Sequence, residues 1–171
     1  IVAEFQSAGR GRLDRTFSAP ESSALLFSLF VETFRTKDDW GWVPLLAVQS
    51  LRTALAELDP RVDITLKWPN DLLVGDLKVA GLLCEAHNNG IIVGIGLNVA
   101  MTEYELPVPT ATSLMLEGFV ELDRNKILSH FLKHFRRDFN IWQEKGSAPF
   151  IDDYRRHSST IGREVRAQMP S

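Results

Sequence analysis

The sequence predicts an α+β domain in which helices cover one face of a mixed or antiparallel sheet. Three observations carry this. Three β-rich runs, 72–74, 78–86 and 91–99, follow one another with only turn residues between them, and such a succession makes neighbouring antiparallel strands. One apolar stripe at helical spacing precedes them (Leu45, Val48, Leu51, Leu55, Leu58) and another follows (Ile127, Leu128, Phe131, Leu132, Phe135, Phe139, Trp142). The chain has 171 residues, one domain at roughly 150 residues each plus a remainder too short to fold alone.

Taken in order, Ile1 to Phe5 reads as a short strand and passes into a loop at Gln6. Residues 25–32, Leu-Leu-Phe-Ser-Leu-Phe-Val-Glu, are dense enough in apolar and aromatic side chains for a strand buried on at least one face. Pro44 suits the first turn of the first helix, and Pro60 ends it. Ile64, Leu66 and Trp68 alternate with Thr65 and Lys67, so 63–68 is a strand that stops at Pro69. Gly75-Asp76 and Asn88-Asn89-Gly90 supply the two turns of the meander. Asp123 is placed to N-cap the second long helix, which ends near Gly146. Residues 149–156 make a short further helix, and 161–167 alternate like a new strand. No repeat, low-complexity tract or linker interrupts residues 1–157.

Composition removes several classes of function. Lys plus Arg is 19 and Asp plus Glu is 22, a formal net charge of −3, which excludes a globally basic nucleic-acid wrapper. With 44% hydrophobic and 24% charged residues the chain is an ordinary globular one. No window of eighteen apolar residues and no signal-peptide pattern occurs, and the single Cys84 forms no internal disulfide, so a reducing cytoplasm without membrane attachment is the expected location. The first residue is Ile1 and not Met, so the chain reads as a fragment or a processed product.

Chemistry concentrates in a few segments. Gly9-Arg10-Gly11-Arg12-Leu13-Asp14-Arg15 joins close backbone approach at glycine with planar, permanently charged guanidinium forks, a combination suited to a polyanion; it lacks P-loop spacing, and a plain surface turn fits it too. Lys67-Trp68-Pro69-Asn70-Asp71 puts an ammonium and two short polar side chains at a strand end, where an ordinary turn also explains them. Lys78 opens a strand with Gly81 in its interior, and Gly94, Gly96 and Asn98 share a face of the next strand. That is a floor without side chains ending in an amide, the shape for a flat ligand, although a bulge or a packing contact accounts for such glycines equally. Cations in number and no clear nucleophile point to adenylyl or phosphoryl transfer driven by positioning and charge. Cys84 reads as a small core residue, the G-x-S-x-G elbow is absent, and His130 and His134 lack the glutamate of HExxH. No metal ligand set is therefore assigned.

With these spacings, Gly9-Arg10-Gly11-Arg12 with Arg15, Lys67-Trp68-Pro69-Asn70-Asp71, Lys78 with Ala80-Gly81, and Gly94-Ile95-Gly96-Leu97-Asn98-Val99 resemble the biotin protein ligases over residues 1 to about 167. The resemblance implies a catalytic domain over 1–157 and, from 158 to 171, the start of a truncated small SH3-like β domain. It implies that biotin and ATP, with Mg²⁺, give biotinyl-5′-AMP and pyrophosphate, and that biotin then passes to a lysine of a biotin carboxyl carrier protein or biotin carboxylase subunit. Carried over position by position, Lys78, Arg10, Arg12 and Lys67 are the catalytic cations. Gln6, Gly9, Arg10, Arg12, Lys78, Gly81, Leu82, Gly94 and Gly96 face biotin; Arg12, Arg15, Phe17, Lys67, Asn70, Lys78 and Asn98 face ATP and the adenylate. Phe17 stands where many members carry Trp, and Asp14 places a negative charge where a small residue is common. A lipoate or octanoate ligase of the same fold, a biotin-sensing repressor fragment and an RNA-binding module remain the alternatives, and a homodimer is left open.

Overall fold

The structure, a computed structural model, describes residues 1–12 and 15–165. Leu13, Asp14 and residues 166–171 lie outside the described residues, and with them the expected effect of Asp14 and the end of the expected strand 161–167. Six strands, β1 (Val2–Ala3), β2 (Ala24–Glu32), β3 (Ile64–Lys67), β4 (Asp71–Val74), β5 (Leu77–His87) and β6 (Gly90–Asn98), form one sheet in the order β1-β2-β6-β5-β4-β3. Every strand pair is antiparallel, so the antiparallel alternative of the sequence reading holds.

Helices α1 (Trp42–Leu58) and α2 (Arg124–Lys145) pack on each other and on the sheet. Pro44 lies in the first turn of α1, where its missing N–H has no intrahelical acceptor to satisfy. The Asp123 side chain accepts from the Asn125 and Lys126 N–H groups, and Gly146 closes α2 at φ 70°, the left-handed conformation that glycine tolerates. Burial of Val48, Leu51 and Leu55 from α1 and Ile127, Phe131, Phe135, Phe139 and Trp142 from α2 joins the inward residues of β2, β5 and β6 in one core. Phe131 and Phe135 stack with ring centroids 5.4 Å apart.

Three expectations change. The first strand is two residues long, because only Val2 and Ala3 pair with Phe27 and Leu26. On α2 the buried stripe takes in His134, 1% exposed, and leaves Leu132 43% exposed; Glu57 on α1 accepts the His134 ring nitrogen at 2.8 Å, which makes a polar side chain admissible inside. Residues 161–165 are turn and irregular backbone and not strand, with Gly162 at φ 82°. Just before them, the Ser159 N–H donates to Leu66 O at 2.8 Å, so the chain after α3 (Ile151–His157) runs along the outer edge of β3.

Candidate active site

The sheet has a second face, away from the helices, and its register builds a depression there. Asp71 lies opposite Gly81, Gly81 opposite Gly96, and Leu83 opposite Gly94; on the other side of β6, Ser28 lies opposite Gly94. Residues paired directly across strands share a face, so Gly81, Gly96 and Gly94 remove three neighbouring side chains and lower the floor. A cavity of about 170 Å³ sits over them.

Lys78 reaches this face through a β-bulge. Leu72 pairs with Ala80 and Leu73 with Lys78, which leaves Val79 as an extra residue on β5. Val79 and Ala80 are both buried, so strict alternation fails at this point and Lys78 turns to the side of Gly81, the re-aiming that bulges perform beside functional sites. The Lys78 ammonium lies only 2.8 Å from where a β-carbon on Gly81 would stand, so Gly81 provides its berth. Asp71 Oδ1 contacts Lys78 Nζ at 2.7 Å; this buried oxygen makes no directional hydrogen bond, and the contact is an ion pair.

The roof is the loop from Gln6 to Phe17. Its stem is a small hairpin in which Arg10 bridges Thr16, the Phe17 N–H donates to Gly9 O at 3.0 Å, and the Gly11 N–H donates to Arg15 O at 2.6 Å. A β-carbon on Gly9 would come within 2.3 Å of the Phe17 carbonyl oxygen, so only glycine fits this crossing. The loop leans on the sheet at three places. Arg10 Nη2 donates to Glu85 Oε2 at 2.9 Å, Arg12 Nη1 to Asn70 Oδ1 at 3.5 Å, and the Phe17 ring lies on Gly96, where a β-carbon would stand 2.6 Å from its tip. Asn70 is itself held, its side-chain amide donating to the Leu82 carbonyl.

Most of the residues selected from sequence therefore meet in one place. Gln6, Arg10, Arg12 and Phe17 come from the loop; Asn70, Lys78, Gly81 and Leu82 come from β4, β5 and the turn before them; Gly94 and Gly96 come from β6, and all of them line the cavity. Gly9 and Arg15 face an adjoining groove on the outer side of the loop. Lys67 stands exposed at the end of β3, outside the cavity. Asn98 is 5% exposed, and its amide donates to Thr112 O at 2.8 Å, so it ties down the segment that follows β6 and does not reach the cavity. Four wall residues were missed. Leu83, Glu85 and Ile92 follow from extending the period-two face of Gly81 and Gly94, whereas Ser28 requires the β2–β6 register.

The chemistry on offer is positive charge beside a bare floor. Burial pushes the neighbouring Cys84 thiol up to about 12, which leaves it uncharged near neutral pH and unsuited to nucleophilic attack. Among the described residues, no group of three His, Cys, Asp or Glu side chains is placed to hold a metal ion, and no helix is long and apolar enough to cross a membrane. What remains is a slot for a flat group, with Lys78 at one end and two arginines over it.

Residues 1–101 match the biotin/lipoate A/B protein ligase family. The chain is 35% identical to the biotin–[acetyl-CoA-carboxylase] ligase of Mycobacterium tuberculosis over 99% of its own length and 64% of that protein's. It is 29% identical to the bifunctional ligase/repressor BirA of Escherichia coli over 96% of its length and 53% of the relative's. It thus spans between half and two thirds of the length of these relatives. Among solved structures, the biotin protein ligase of Aquifex aeolicus in complex with biotin and ATP superposes with a TM-score of 0.82 at 31% identity, covering 92% of this chain and 67% of that one. The Leishmania major ligase in complex with biotinyl-5-AMP gives 0.81 at 22% identity over 99% and 74%, a likeness of fold.

Proposed function

The chain belongs to the biotin/lipoate A/B protein ligase family, and on that premise we propose that it carries the catalytic site of a biotin protein ligase. The observation that carries this reading is the Lys78 ammonium berthed over Gly81, at the end of a glycine floor under the Arg10–Arg12 loop. The names of the relatives favour biotin over lipoate.

In the first half-reaction a biotin carboxylate oxygen attacks the α-phosphorus of ATP, the bond to the β-phosphate oxygen breaks, and pyrophosphate leaves. Two anions must meet for this, so the main barrier is charge. Lys78, Arg10 and Arg12 offset that charge where it develops, in a cavity that limits water. Gly81, Gly94 and Gly96 leave room for the flat bicyclic ring of biotin, with Gln6, Leu82 and the Gly9 turn at its edge. Phe17 offers an aromatic face to the adenine, with Asn70 and Arg15 on the nucleotide side. Lys67 and Asn98 take no part in the cavity as it stands, and we assign them no step. In the second half-reaction the amine of a carrier-protein lysine attacks the acyl carbon of biotinyl-5′-AMP, AMP departs with the bonding pair, and the amine loses a proton. Mg²⁺ belongs to the MgATP substrate, held by phosphate oxygens, because the described residues offer no metal cage of their own. Residues 1–157 form the catalytic unit in this reading, with a small SH3-like domain beginning after them. The free, half-buried Cys84 fits a reducing compartment such as the cytoplasm.

The full chain supplied with biotin and MgATP is expected to release pyrophosphate in a biotin-dependent manner. Lys78→Ala should lower kcat/KM for that release roughly a hundredfold, the scale of losing one preorganised charge contact, while leaving the melting temperature close to that of the parent. No biotin-dependent pyrophosphate from folded protein overturns the assignment.

A further inference from the structure

A site built for anionic substrates would be expected to exclude carboxylates, yet two stand on its floor, Asp71 and Glu85. Asp71 is accounted for by its ion pair with Lys78. Glu85 is not needed by the chemistry above. It lies on the same face of β5 as Gly81, four residues further along, at a distance of roughly 13 Å for an extended strand. That places it at the opposite rim of the cavity, across from Ile92 of β6. Its Oε2 holds Arg10 Nη2 at 2.9 Å, with 44% of the Glu85 side chain and 71% of the Arg10 side chain exposed.

The Arg10 loop is otherwise self-contained, since its bridge and its turn hydrogen bonds run within residues 9–17. Among the described residues, the Arg10–Glu85 contact is the only ion pair that joins this loop to the sheet. An ion pair this exposed is weak and easily exchanged. An incoming phosphate or carboxylate oxygen presents to the guanidinium the same acceptor geometry that Glu85 now presents.

We propose that Glu85 is a positioning residue for Arg10: an internal carboxylate that docks the Gly9–Phe17 loop over β5 in the substrate-free protein and yields Arg10 to the anionic substrate on binding. The role of the substrate anion rests on the ligase reading. Glu85 makes no contact with the reacting atoms. It sets where Arg10 waits, and it competes with the substrate for Arg10. Removing its charge therefore has two consequences of known sign: the free loop loses its tether, and the site gains affinity for an anion.

Two measurements on the full chain test this. Trypsin cleavage after Arg10, Arg12 or Arg15 in the absence of substrate should be at least three times faster in Glu85→Gln than in the parent, and Glu85→Asp, which keeps the charge, should restore protection to within twofold. In steady-state pyrophosphate release at low salt, Glu85→Gln should lower KM for biotin or for ATP about threefold with the change falling on KM and not on kcat, and 0.5 M salt should erase the difference. Equal cleavage rates in parent and Glu85→Gln overturn the docking role. An unchanged or raised KM for both substrates overturns the competition. A parent chain without biotin-dependent turnover defeats the ligase reading instead, and the cleavage comparison, which requires no turnover, still decides whether Glu85 docks the loop.

Discussion

Asp59, at the end of α1, has a side chain only 2% exposed, and its carboxylate gathers four donors. Arg61 donates from Nε at 2.9 Å, from Nη2 at 2.7 Å and from its backbone N–H at 3.2 Å, and the Val120 N–H adds a fourth at 3.0 Å. The Arg61 guanidinium, and after it the Val120 N–H, hold this carboxyl well below the usual carboxylate range. A folded-state pKa below the unfolded one means that the folded form binds the proton less readily. The stability it contributes is complete above the unfolded value of about 3.9 and is lost as pH falls from there toward the lowered value. Asp59→Asn should therefore melt well below the parent at pH 7, and the gap should narrow steadily as the pH is taken from 5 to 3. A gap independent of pH would show that the charge is not what matters at this position. Nothing in the sequence marks Asp59 beyond its place before Pro60, because its partner Val120 is 61 residues away.

At the scale of elements, β6 shows what a pattern in the sequence specifies and what it leaves open. The period-two spacing of Gly94 and Gly96 correctly forms a floor, yet the two glycines differ. A β-carbon on Gly94 would meet Leu83 O and Ser28 Oγ at 3.4 Å, ordinary contact, whereas one on Gly96 would stand 2.6 Å from the Phe17 ring. Because the clash is with the tip of a mobile side chain, Gly96→Ala should keep the fold, with a melting temperature within about 3 °C of the parent, and still displace Phe17, raising the dissociation constant for biotin plus ATP about tenfold; 1.4 kcal/mol corresponds to that factor. Parental affinity in a folded Gly96→Ala chain would mean that Phe17 is a bystander. The spacing that revealed the floor could not place its ends. Asn98 has the right parity, but the segment after β6 presents the Thr112 carbonyl to it. Lys78 has the wrong parity relative to Gly81, and only the bulge at Val79 brings it round. Local alternation is visible in one strand; bulges and cross-strand partners belong to pairs of strands, which is why the meander and both long helices were legible and Ser28 was not.

Considered as a whole, the molecule divides its labour between the two faces of one sheet. The face toward α1 and α2 carries the aromatic and aliphatic core, while the other holds the glycine floor, its cations and a minor apolar cluster of Ala19, Ala24, Leu26 and Met101. Binding on the second face can stabilise the fold without repacking the first, so ligand should raise the melting temperature by mass action alone. At a free ligand concentration a thousand times the dissociation constant, the gain is about 4 kcal/mol. For a domain of this size each kcal/mol moves the midpoint by about 2–4 °C, so biotin with MgATP should shift it by about 8–16 °C once the tightly held adenylate has formed. Biotin alone, lacking the nucleotide contacts, should shift it less. Lipoate with MgATP should shift it by no more than MgATP does by itself, since the family contains ligases for either acid and the floor accommodates only the one that fits its bare glycines. A large shift with lipoate and none with biotin would keep the fold, the loop and the cations as described and transfer the chain to the lipoate branch of its family.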